Sequence, residues 1–253
     1  MNPATPSSLA GQAVLITGGA RRLGAAIARR LHAEGANILI HHLHSAREAA
    51  ALAAELNAAR AGSAALHRAD LLDLEALPGV VAAAQHAFGR LDVLVNNAST
   101  FYPTPVGEIT ARAFDDLVGS NLRAPLFLTQ AAAPELRLRR GLVLNLADIH
   151  ALRPLKRHTV YCAAKAGLVM LTQSLARELG PAVRVNAIAP GPVLWPEAEL
   201  DGDLRKHIIE RTALKRMGSP ADVAAAALYF VRDAPYVTGQ VLPIDGGRTV
   251  AGL

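Results

Sequence analysis

Residues Thr17–Gly24 read Thr-Gly-Gly-Ala-Arg-Arg-Leu-Gly, a glycine-containing turn between two contrasting segments. The segment before it, Ala13–Ile16, is entirely apolar and is typical of a buried strand. The segment after it, Leu23–Leu31, carries apolar residues at helical spacing. A strand, a glycine turn and a helix in this order place the helix N-terminal N–H groups where they bind the pyrophosphate of a dinucleotide. The sequence therefore predicts an α/β fold with a dinucleotide site.

The rest of the chain repeats this alternation of short apolar runs and longer helical runs. The predicted strands are Ala13–Thr17, Asn37–His41, Ala64–His67, Val93–Asn96, Gly141–Leu146, Val183–Ile188 and Gln240–Pro243. The predicted helices are Leu23–Glu34, Ala46–Arg60, Leu77–Gly89, Ala111–Arg139 with a break near Ser120, Val160–Leu179 and Ala221–Val231. Such alternation is typical of right-handed crossovers and a covered parallel sheet. We expect a single-domain, Rossmann-type, doubly wound parallel sheet with helices on both faces, whose ligands bind beyond the carboxyl ends of the strands.

The sequence divides into a short tail and one long domain. Residues 1–10 are polar, and we expect them to form a flexible tail, with a single dinucleotide-binding domain over residues 11–253. Between about residues 190 and 216 the apolar periodicity weakens and prolines accumulate. Long loops in compact domains often cover a site, so this segment predicts a substrate loop with a short helix over Asp203–Arg211. A surface insertion without a function is the alternative.

Composition argues against several classes of protein. The net charge of +5 comes from scattered basic residues without interleaved aromatics, so no nucleic-acid partner is expected. No uncharged apolar run reaches the roughly 18 residues of a membrane span. The single cysteine, Cys162, excludes an intrachain disulfide, fits a reducing compartment and is expected to be buried. We expect a cytoplasmic protein that acts on a small molecule and holds no metal.

A second informative pair lies far along the chain from the glycine turn. Tyr161 and Lys165 are four residues apart in a predicted helix, so their side chains share one face. Transfer of hydride to C=O or C=N leaves a negative charge, and a proton donor has to neutralise it. We expect the ammonium of Lys165 and the positively charged nicotinamide to lower the pKa of Tyr161 from its usual value of about 10. The pair predicts a reductase.

The glycine turn and the Tyr-Lys pair together resemble the short-chain dehydrogenase/reductase family, over nearly the whole chain. Gly18 and Gly24 match the family motif Thr-Gly-x-x-x-Gly-x-Gly, and Arg22 stands where its middle glycine is usual. The resemblance implies that Tyr161 is the acid and that Lys165 holds the nicotinamide ribose and tunes the tyrosine. It further implies that Asn121 keeps a water for proton relay, and that the protein is a homotetramer.

Three features resemble the pteridine reductase branch of that family. They are Arg22, the stretch Asn97–Pro105 (Asn-Ala-Ser-Thr-Phe-Tyr-Pro-Thr-Pro), and Asp148, thirteen residues before the tyrosine, where most members have serine. The resemblance implies that Arg22 contacts the cofactor phosphates and the pterin, that Phe101 stacks on the pterin, and that Ser99 lies near both. It also implies that Asp148 pairs with the tyrosine. The alternatives are a surface arginine at position 22 and an inactive homologue marked by Asp148.

The end of the second predicted strand favours NADPH as cofactor. Sites that prefer NAD place a carboxylate there, and this chain has His41, His42, His44, Ser45 and Arg47 in the same region. These side chains tolerate a 2′-phosphate, which a carboxylate would repel. Pteridine reductases usually carry arginine where this chain has His44, so the charge argument is weaker at neutral pH. A solvated loop is the alternative.

The resemblance implies further ligand contacts along the same edge of the sheet. The additional cofactor contacts are Leu23, His44, Ser45, Asp70 (to the adenine amino group), Asn97, Ala98, Pro190 and Gly191. Val193 stands where pteridine reductases have serine, and Trp195 either covers the substrate pocket or packs beside it.

We therefore predict an NADPH-dependent reductase that transfers hydride to a pterin-like ring, with tyrosine as the proton donor. The expected substrates are dihydropterins, with dihydrofolate and oxidised pterins as further candidates. One alternative is a general carbonyl or 3-oxoacyl thioester reductase. Another is a regulator that binds NADP(H) without turnover.

Overall fold

The computed structural model describes residues 8–194 and 202–251. The strands are β1 (Ala13–Ile16), β2 (Asn37–His42), β3 (Ala64–Arg68), β4 (Val93–Asn96), β5 (Leu142–Leu146), β6 (Arg184–Pro190) and β7 (Val241–Ile244). They form one parallel sheet in the order β3-β2-β1-β4-β5-β6-β7. The chain winds outward in both directions from β1 and β4, which confirms the predicted doubly wound sheet. A ligand crevice is expected where these two strands end.

Helices connect the strands and lie on both faces of the sheet. They are α1 (Arg22–Ala33), α2 (Ala46–Ala59), α3 (Leu77–Phe88), α4 (Ala111–Val118), α5 (Ala124–Arg139), α6 (Thr159–Leu179), α7 (Gly202–Glu210), α8 (Pro220–Leu228) and α9 (Arg248–Ala251). The break predicted near Ser120 is a π-helical segment, Gly119–Arg123, that joins α4 to α5. Such wide turns are frequent at functional sites. Within the described ranges, no helix combines the length and the apolar character that crossing a membrane requires.

Two apolar layers fill the space between the sheet and its helices. Val14 and Ile16 of β1 pack in one layer with side chains of α1 and α8. Leu15 points the opposite way and packs with side chains of α3 and α5. Because both faces are covered, each central strand has to be apolar at consecutive positions, which explains the continuous apolar runs of the sequence.

The N-terminal boundary of the domain lies earlier than predicted. Leu9, expected to belong to a flexible tail, is 1% exposed and packs in the layer beside α1. Its backbone N–H donates to the Glu34 carbonyl oxygen at 3.0 Å. A single leucine among polar residues gives no periodic signal, so the prediction of a tail over residues 1–10 was wrong for this residue. Residues 1–7 lie outside the described part of the chain.

Candidate active site

The glycine turn between β1 and α1 leaves no room for side chains on its glycines. A Cβ on Gly24 would lie 2.5 Å from the Gly18 carbonyl oxygen and 2.7 Å from Asn97 Nδ2. Gly18 has a φ of +58°, and its Cβ would lie 3.0 Å from Ala98 Cα. The residue that precedes α1, Arg21, gives the helix no side-chain capping hydrogen bond. A bare helix N-terminus behind a glycine surface fits the phosphates of a dinucleotide.

Asn97 and Ala98 lie directly beneath this turn. Asn97 Nδ2 donates to the carbonyl oxygens of Thr17 at 2.8 Å and Gly18 at 3.0 Å. Thr17 Oγ1 accepts from the backbone N–H groups of Asn97 at 2.9 Å and Ala98 at 3.0 Å. Both residues were predicted as cofactor contacts, and the structure shows in addition that they fix the shape of the turn.

Arg22 begins α1 with a left-handed backbone. Its φ is +52°, a conformation that costs a residue with a side chain about 1 kcal/mol. The family motif has glycine at this position, and the backbone conformation explains why. Arg22 is exposed to solvent beside the turn. Leu23, also predicted as a cofactor contact, is half-buried and packs its side chain against the apolar layer.

His41 does not face a phosphate, which corrects the expectation for the histidines at the end of β2. Its ring is buried, and Nδ1 accepts from the Gly18 N–H at 3.2 Å. Nε2 lies 3.1 Å from the Ala69 carbonyl oxygen. Burial lowers the pKa of His41 to about 4, so the ring is neutral at physiological pH.

The remaining candidates for a 2′-phosphate lie just beyond β2. His42 is buried, and its pKa is lowered by burial, so it brings no charge to the site. His44 and Arg47 are exposed, and Ser45 is half-buried at the start of α2. The solvated-loop alternative is therefore wrong for the two strand histidines. The predicted phosphate contacts reduce to these three residues outside the strand.

Asp70, the predicted partner of the adenine, is exposed two residues beyond β3. Its Oδ1 accepts from the Leu72 N–H at 2.9 Å and closes the turn that follows the strand. Asp70 directly follows Ala69, the residue that contacts His41. The segment that carries Asp70 and the glycine turn are therefore linked through one histidine.

The predicted pairing of Asp148 with Tyr161 is present in the structure. Tyr161 Oη donates to Asp148 Oδ2 at 2.8 Å. The other oxygen, Oδ1, accepts from the His150 N–H at 2.7 Å and caps the short helical turn Ile149–Ala151. Asp148 comes two residues after β5, whereas Tyr161 stands in the first turn of α6. One oxygen of the carboxylate therefore stabilises the local backbone, and the other binds the phenol of Tyr161.

The charge environment of Tyr161 differs from the expectation. Burial raises the pKa of Tyr161, and the carboxylate of Asp148 raises it further. Lys165 lies 5.7 Å from the centre of the tyrosine ring, and its Nζ donates to the Leu146 carbonyl oxygen at 2.7 Å. Burial also lowers the pKa of Lys165 to about 8, with Asp148 opposing the shift. Among the protein's own groups the predicted lowering of the tyrosine pKa is wrong, because desolvation and the Asp148 carboxylate both raise it.

Asn121 is buried in the π-helical segment and binds the loop that carries Ser99 and Thr100. Its Nδ2 donates to the carbonyl oxygens of Leu117 at 3.0 Å and Thr100 at 2.9 Å. Its Oδ1 accepts from Ser99 Oγ at 2.7 Å. Asn121 and Ser99, predicted for different tasks, are therefore direct partners. The water relay implied for Asn121 stays a prediction.

Phe101 stands beside the ring of Tyr161. Its ring is 53% exposed and meets the Tyr161 ring edge-on, with centroids 4.8 Å apart. One face of Phe101 stacks on His158, with centroids 4.6 Å apart and planes inclined by 12°. The loop is held there because the Thr104 N–H donates to the Arg157 carbonyl oxygen at 2.6 Å. A half-exposed ring backed by a second ring suits contact with a flat heterocycle.

Sequence reasoning missed His158 and misplaced His41. His158 immediately precedes α6, three residues before Tyr161, and that spacing was the only signal. His41 was recognised only as part of a histidine-rich stretch. Neither role is visible without knowing which loops meet at the edge of the sheet.

The start of the predicted substrate loop is built from buried and half-buried residues. Pro190 ends β6, and the Gly191 N–H donates to the Ile244 carbonyl oxygen at 2.9 Å. A Cβ on Gly191 would lie 2.6 Å from Asp245 Cβ, so the glycine permits a close approach of two loops. Val193 is buried in the apolar layer, which explains an apolar residue at this position. Trp195 lies outside the described residues.

Residues 97–101 join the two halves of the site. Ala98 packs under the glycine turn, Ser99 binds Asn121, and Phe101 meets Tyr161. Cys162, next to the tyrosine, is buried as predicted, and its Sγ accepts from the Leu155 N–H at 3.3 Å. In the part of the chain that the structure describes, no group of three or more His, Cys, Asp or Glu residues is placed to hold a metal ion.

The family model described as enoyl-(acyl carrier protein) reductase matches residues 18–249. The chain belongs to the short-chain dehydrogenase/reductase family. Pteridine reductase 1 of Leishmania tarentolae is 34% identical over 93% of this chain and 96% of its own length. The 3-oxoacyl-[acyl-carrier-protein] reductase FabG of Staphylococcus aureus is 32% identical over 93% of this chain and 97% of its own length. This short-chain dehydrogenase/reductase is thus similar to enzymes with different substrates.

A further relative is 2,5-dichloro-2,5-cyclohexadiene-1,4-diol dehydrogenase LinX of Sphingobium indicum, 36% identical over 96% of this chain and 98% of its own length. Among solved structures, a blue fluorescent protein from a metagenomic library in complex with NADPH is similar with a TM-score of 0.90 and 34% identity. The match covers 96% of this chain and 99% of that chain. NADPH, the cofactor predicted from the sequence, is the one bound in that relative.

Proposed function

We propose that this short-chain dehydrogenase/reductase uses NADPH to reduce a C=N bond of a pterin-like ring. The observation that carries the proposal is the 2.8 Å hydrogen bond from Tyr161 Oη to Asp148 Oδ2. A carboxylate repels the developing oxyanion of a ketone, whereas it shuttles protons to a ring nitrogen. The same pair stands beside the half-exposed ring of Phe101. Proton transfer and a flat binding surface therefore meet at one point.

The tyrosine is the proton donor in this mechanism. Burial and Asp148 raise the pKa of Tyr161, so its Oη keeps its proton until a basic nitrogen is presented. When bound, NADPH supplies the hydride and its two electrons to a ring carbon. Tyr161 Oη gives its proton to the adjacent nitrogen, and the C=N bond becomes CH–NH. The half-buried Asp148 then returns a proton from solvent to the phenolate.

Lys165 stabilises the phenolate that remains after the proton transfer. With a pKa of about 8, its ammonium is mostly protonated at neutral pH. It lies 5.7 Å from the tyrosine ring centre and is held by the Leu146 carbonyl oxygen. This geometry permits an electrostatic contribution that grows as negative charge develops on the phenol.

The preference for NADPH follows from the residues that surround the end of β2. No carboxylate follows the strand, and the exposed side chains there are His44 and Arg47, with Ser45 between them. Arg22 adds a guanidinium at the glycine turn. These groups accept a 2′-phosphate that Asp or Glu would repel.

The pterin ring is expected to lie on the open face of Phe101. The opposite face is covered by His158, which limits the ring to one orientation. Likeness to pteridine reductase 1 of Leishmania tarentolae supports this substrate class.

A general carbonyl or 3-oxoacyl thioester reductase is the second candidate. It is favoured by the comparable likeness to FabG and to a putative ketoacyl reductase of granaticin synthesis from Streptomyces violaceoruber, 36% identical over 92% of this chain. The carboxylate of Asp148 argues against a carbonyl reductase, because a hydroxyl at this position would stabilise a ketone oxygen better. A regulator that binds NADP(H) without turnover is disfavoured by the intact set of Tyr161, Lys165 and Asn121.

The cytoplasmic location and the homotetramer stay predictions. Sedimentation of the purified protein checks the oligomeric state. A small-molecule substrate fits the family, and no nucleic-acid, membrane or metal partner is proposed.

The decisive experiment follows NADPH absorbance with purified protein and a panel of substrates. The panel contains dihydrobiopterin, dihydromonapterin, dihydrofolate and a set of plain ketones. Oxidation with pterins alone is expected. Turnover of ketones alone would assign the protein to the general reductases, and binding of NADPH without any turnover would indicate the regulator.

A further inference from the structure

His41 is a buried histidine that the proton-transfer chemistry does not use. His41 is the second-last residue of β2, and it is 2% exposed. Three of its atoms hold neighbouring backbone. Nδ1 accepts from the Gly18 N–H at 3.2 Å, Nε2 lies 3.1 Å from the Ala69 carbonyl oxygen, and its own carbonyl oxygen accepts from the Gly19 N–H at 3.0 Å.

These contacts assign the protonation state of the ring. The Gly18 N–H can only donate, so Nδ1 has to carry a lone pair. The Ala69 carbonyl oxygen can only accept, so Nε2 has to carry the hydrogen. His41 is therefore neutral, with its hydrogen on Nε2, and it donates to one loop while it accepts from another.

The surroundings of the ring support this neutral state. Burial is the largest influence and lowers the pKa of His41. His67 on β3 and His42 on β2 also oppose its protonation, whereas Asp70 beyond β3 favours it. A charged ring would lose the lone pair that Gly18 needs, so the environment protects the contact to the glycine turn.

We propose that His41 is a positioning residue for NADPH, because it fixes the glycine turn, Thr17–Gly24, relative to the segment Ala69–Asp70. The turn is built to receive the pyrophosphate, and Asp70 is the expected partner of the adenine. Both groups belong to the same covalently linked half of the cofactor, so the two loops bind it at the least cost when their spacing is set before binding. A ring that bonds both loops supplies this preorganisation and lowers the cost of binding.

The two hydrogen bonds can be separated by substitution. In His41→Asn, the side-chain oxygen takes the place of Nδ1 and keeps an acceptor for Gly18, but the side chain is too short to reach Ala69. In His41→Gln, the side-chain amide reaches toward Ala69 and leaves Gly18 without its acceptor. In His41→Leu, both bonds are lost while the apolar volume is kept.

His32 provides a matched control. It is also buried with a lowered pKa, and its Nε2 lies 2.7 Å from Ser63 Oγ. It belongs to the last turn of α1, at the opposite end of that helix from the glycine turn. The variant His32→Asn therefore disturbs a buried histidine without touching the loops that receive the cofactor.

The test measures the Kd of NADPH and of its fragment 2′-phospho-ADP-ribose by fluorescence or calorimetric titration, together with thermal unfolding and kcat at saturating NADPH. His41→Leu is expected to weaken both ligands by about tenfold while kcat stays near that of the parent protein. His41→Asn and His41→Gln each break one side of the link, so both are expected to weaken NADPH binding, by no more than His41→Leu does. His32→Asn is expected to lower the unfolding temperature and leave both Kd values unchanged.

Several results would overturn the proposal. Equal Kd values for His41→Leu and the parent protein would show that the ring has no part in binding. A loss of kcat as large as the loss of affinity, or equal weakening by His32→Asn, would indicate a general structural role. If His41→Leu does not fold, His41→Asn and His41→Gln are each compared with the parent protein instead, and an unchanged Kd of NADPH in both variants would reject the proposal.

Discussion

The two ends of the ligand crevice are built in different ways. At the glycine turn, backbone atoms approach one another so closely that a single added carbon on Gly24 would lie 2.5 Å from the Gly18 carbonyl oxygen. At the catalytic end, the contacts are made by side chains, such as Tyr161 with Asp148 and Phe101 with His158. The first end depends on the shape of the backbone, and the second depends on the chemistry of a few groups.

This difference separates cofactor binding from substrate choice. The glycine turn is held from below by Thr17 and Asn97, and none of these contacts involves the reacting atoms. In the proposed function, substrate choice rests on Asp148, which is half-buried, and on Phe101, which is exposed, so both can change without disturbing the core. Changes at the turn should therefore alter the affinity for NADPH, whereas changes beside Tyr161 should alter the rate and the substrate.

The largest expected effect is that of Tyr161→Phe. Removing the phenol oxygen removes the proton donor, so turnover is expected to fall about a thousandfold. The Kd of NADPH is expected to stay near that of the parent protein, because the hydroxyl binds Asp148 rather than the glycine turn. Steady-state rates and a fluorescence titration of NADPH provide the comparison. Retained turnover would show that another group donates the proton.

Asp148→Ser tests the role of the carboxylate and is expected to lower turnover less than Tyr161→Phe does. Serine can still cap the turn Ile149–Ala151, as Asp148 Oδ1 does, so the fold is expected to survive. Pterin reduction is expected to fall by about tenfold or more, while ketone reduction rises. Asp148 raises the pKa values of Tyr161 and Lys165, so its removal is expected to move the alkaline limb of the pH–rate profile to lower pH.

The control for this change is Asp148→Asn, which keeps the shape and removes the charge. It is expected to reproduce the pH shift without a gain in ketone reduction. An unchanged pterin rate in both variants would remove Asp148 from the proposed mechanism.

The fold was predictable because its signals are local and repeated. Apolar runs such as Val93–Asn96 are buried on both faces, and each was followed by a helical pattern, so the parallel sheet needed no knowledge of long-range contacts. Leu9 was missed because one apolar residue carries no period. The break near Ser120 was predicted from the sequence, but its form as a π-helical segment was not.

The candidate site was predictable only where a motif coincides with a contact. Asp148 and Tyr161 were paired by resemblance, and the structure brings them within hydrogen-bond distance. The pKa of Tyr161 was predicted in the wrong direction, because desolvation depends on everything that packs around a group. His41 was assigned to a phosphate because its position along the strand was visible, whereas the direction of its side chain was not.

Gly24→Ala tests the backbone end of the site. The added methyl group would press on the Gly18 carbonyl oxygen and on Asn97 Nδ2, so the turn has to shift. We expect the Kd of NADPH to rise about tenfold, with kcat at saturation little changed. The matched control is Gly79→Ala within α3, where a Cβ meets nothing within 4 Å. Equal effects of the two substitutions would contradict the tight fit assigned to the turn.

Phe101→Ala tests the flat surface at the catalytic end. Loss of one stacking face is expected to raise the KM for a pterin about fivefold, with a smaller change in kcat. Because the ring is 53% exposed, the unfolding temperature is expected to change little. An unchanged KM together with a clear loss of stability would show that Phe101 packs the loop and does not meet the substrate.

The smallest expected effect is that of Arg22→Gly, because Arg22 combines an unusual backbone conformation with a charged side chain at the glycine turn. Its left-handed backbone, with φ of +52°, costs about 1 kcal/mol that glycine does not incur, so the variant is expected to be more stable, by less than that amount. Glycine also gives the unfolded chain more freedom, which offsets part of the gain. The control is Arg140→Gly, an exposed arginine at the end of α5 with φ of +51°. Both variants should gain similar stability in chemical unfolding, but only Arg22→Gly should bind NADPH less tightly, and by more than it loses for NADH. An equal loss for both cofactors would mean that Arg22 shapes the turn without contacting the 2′-phosphate side of the site.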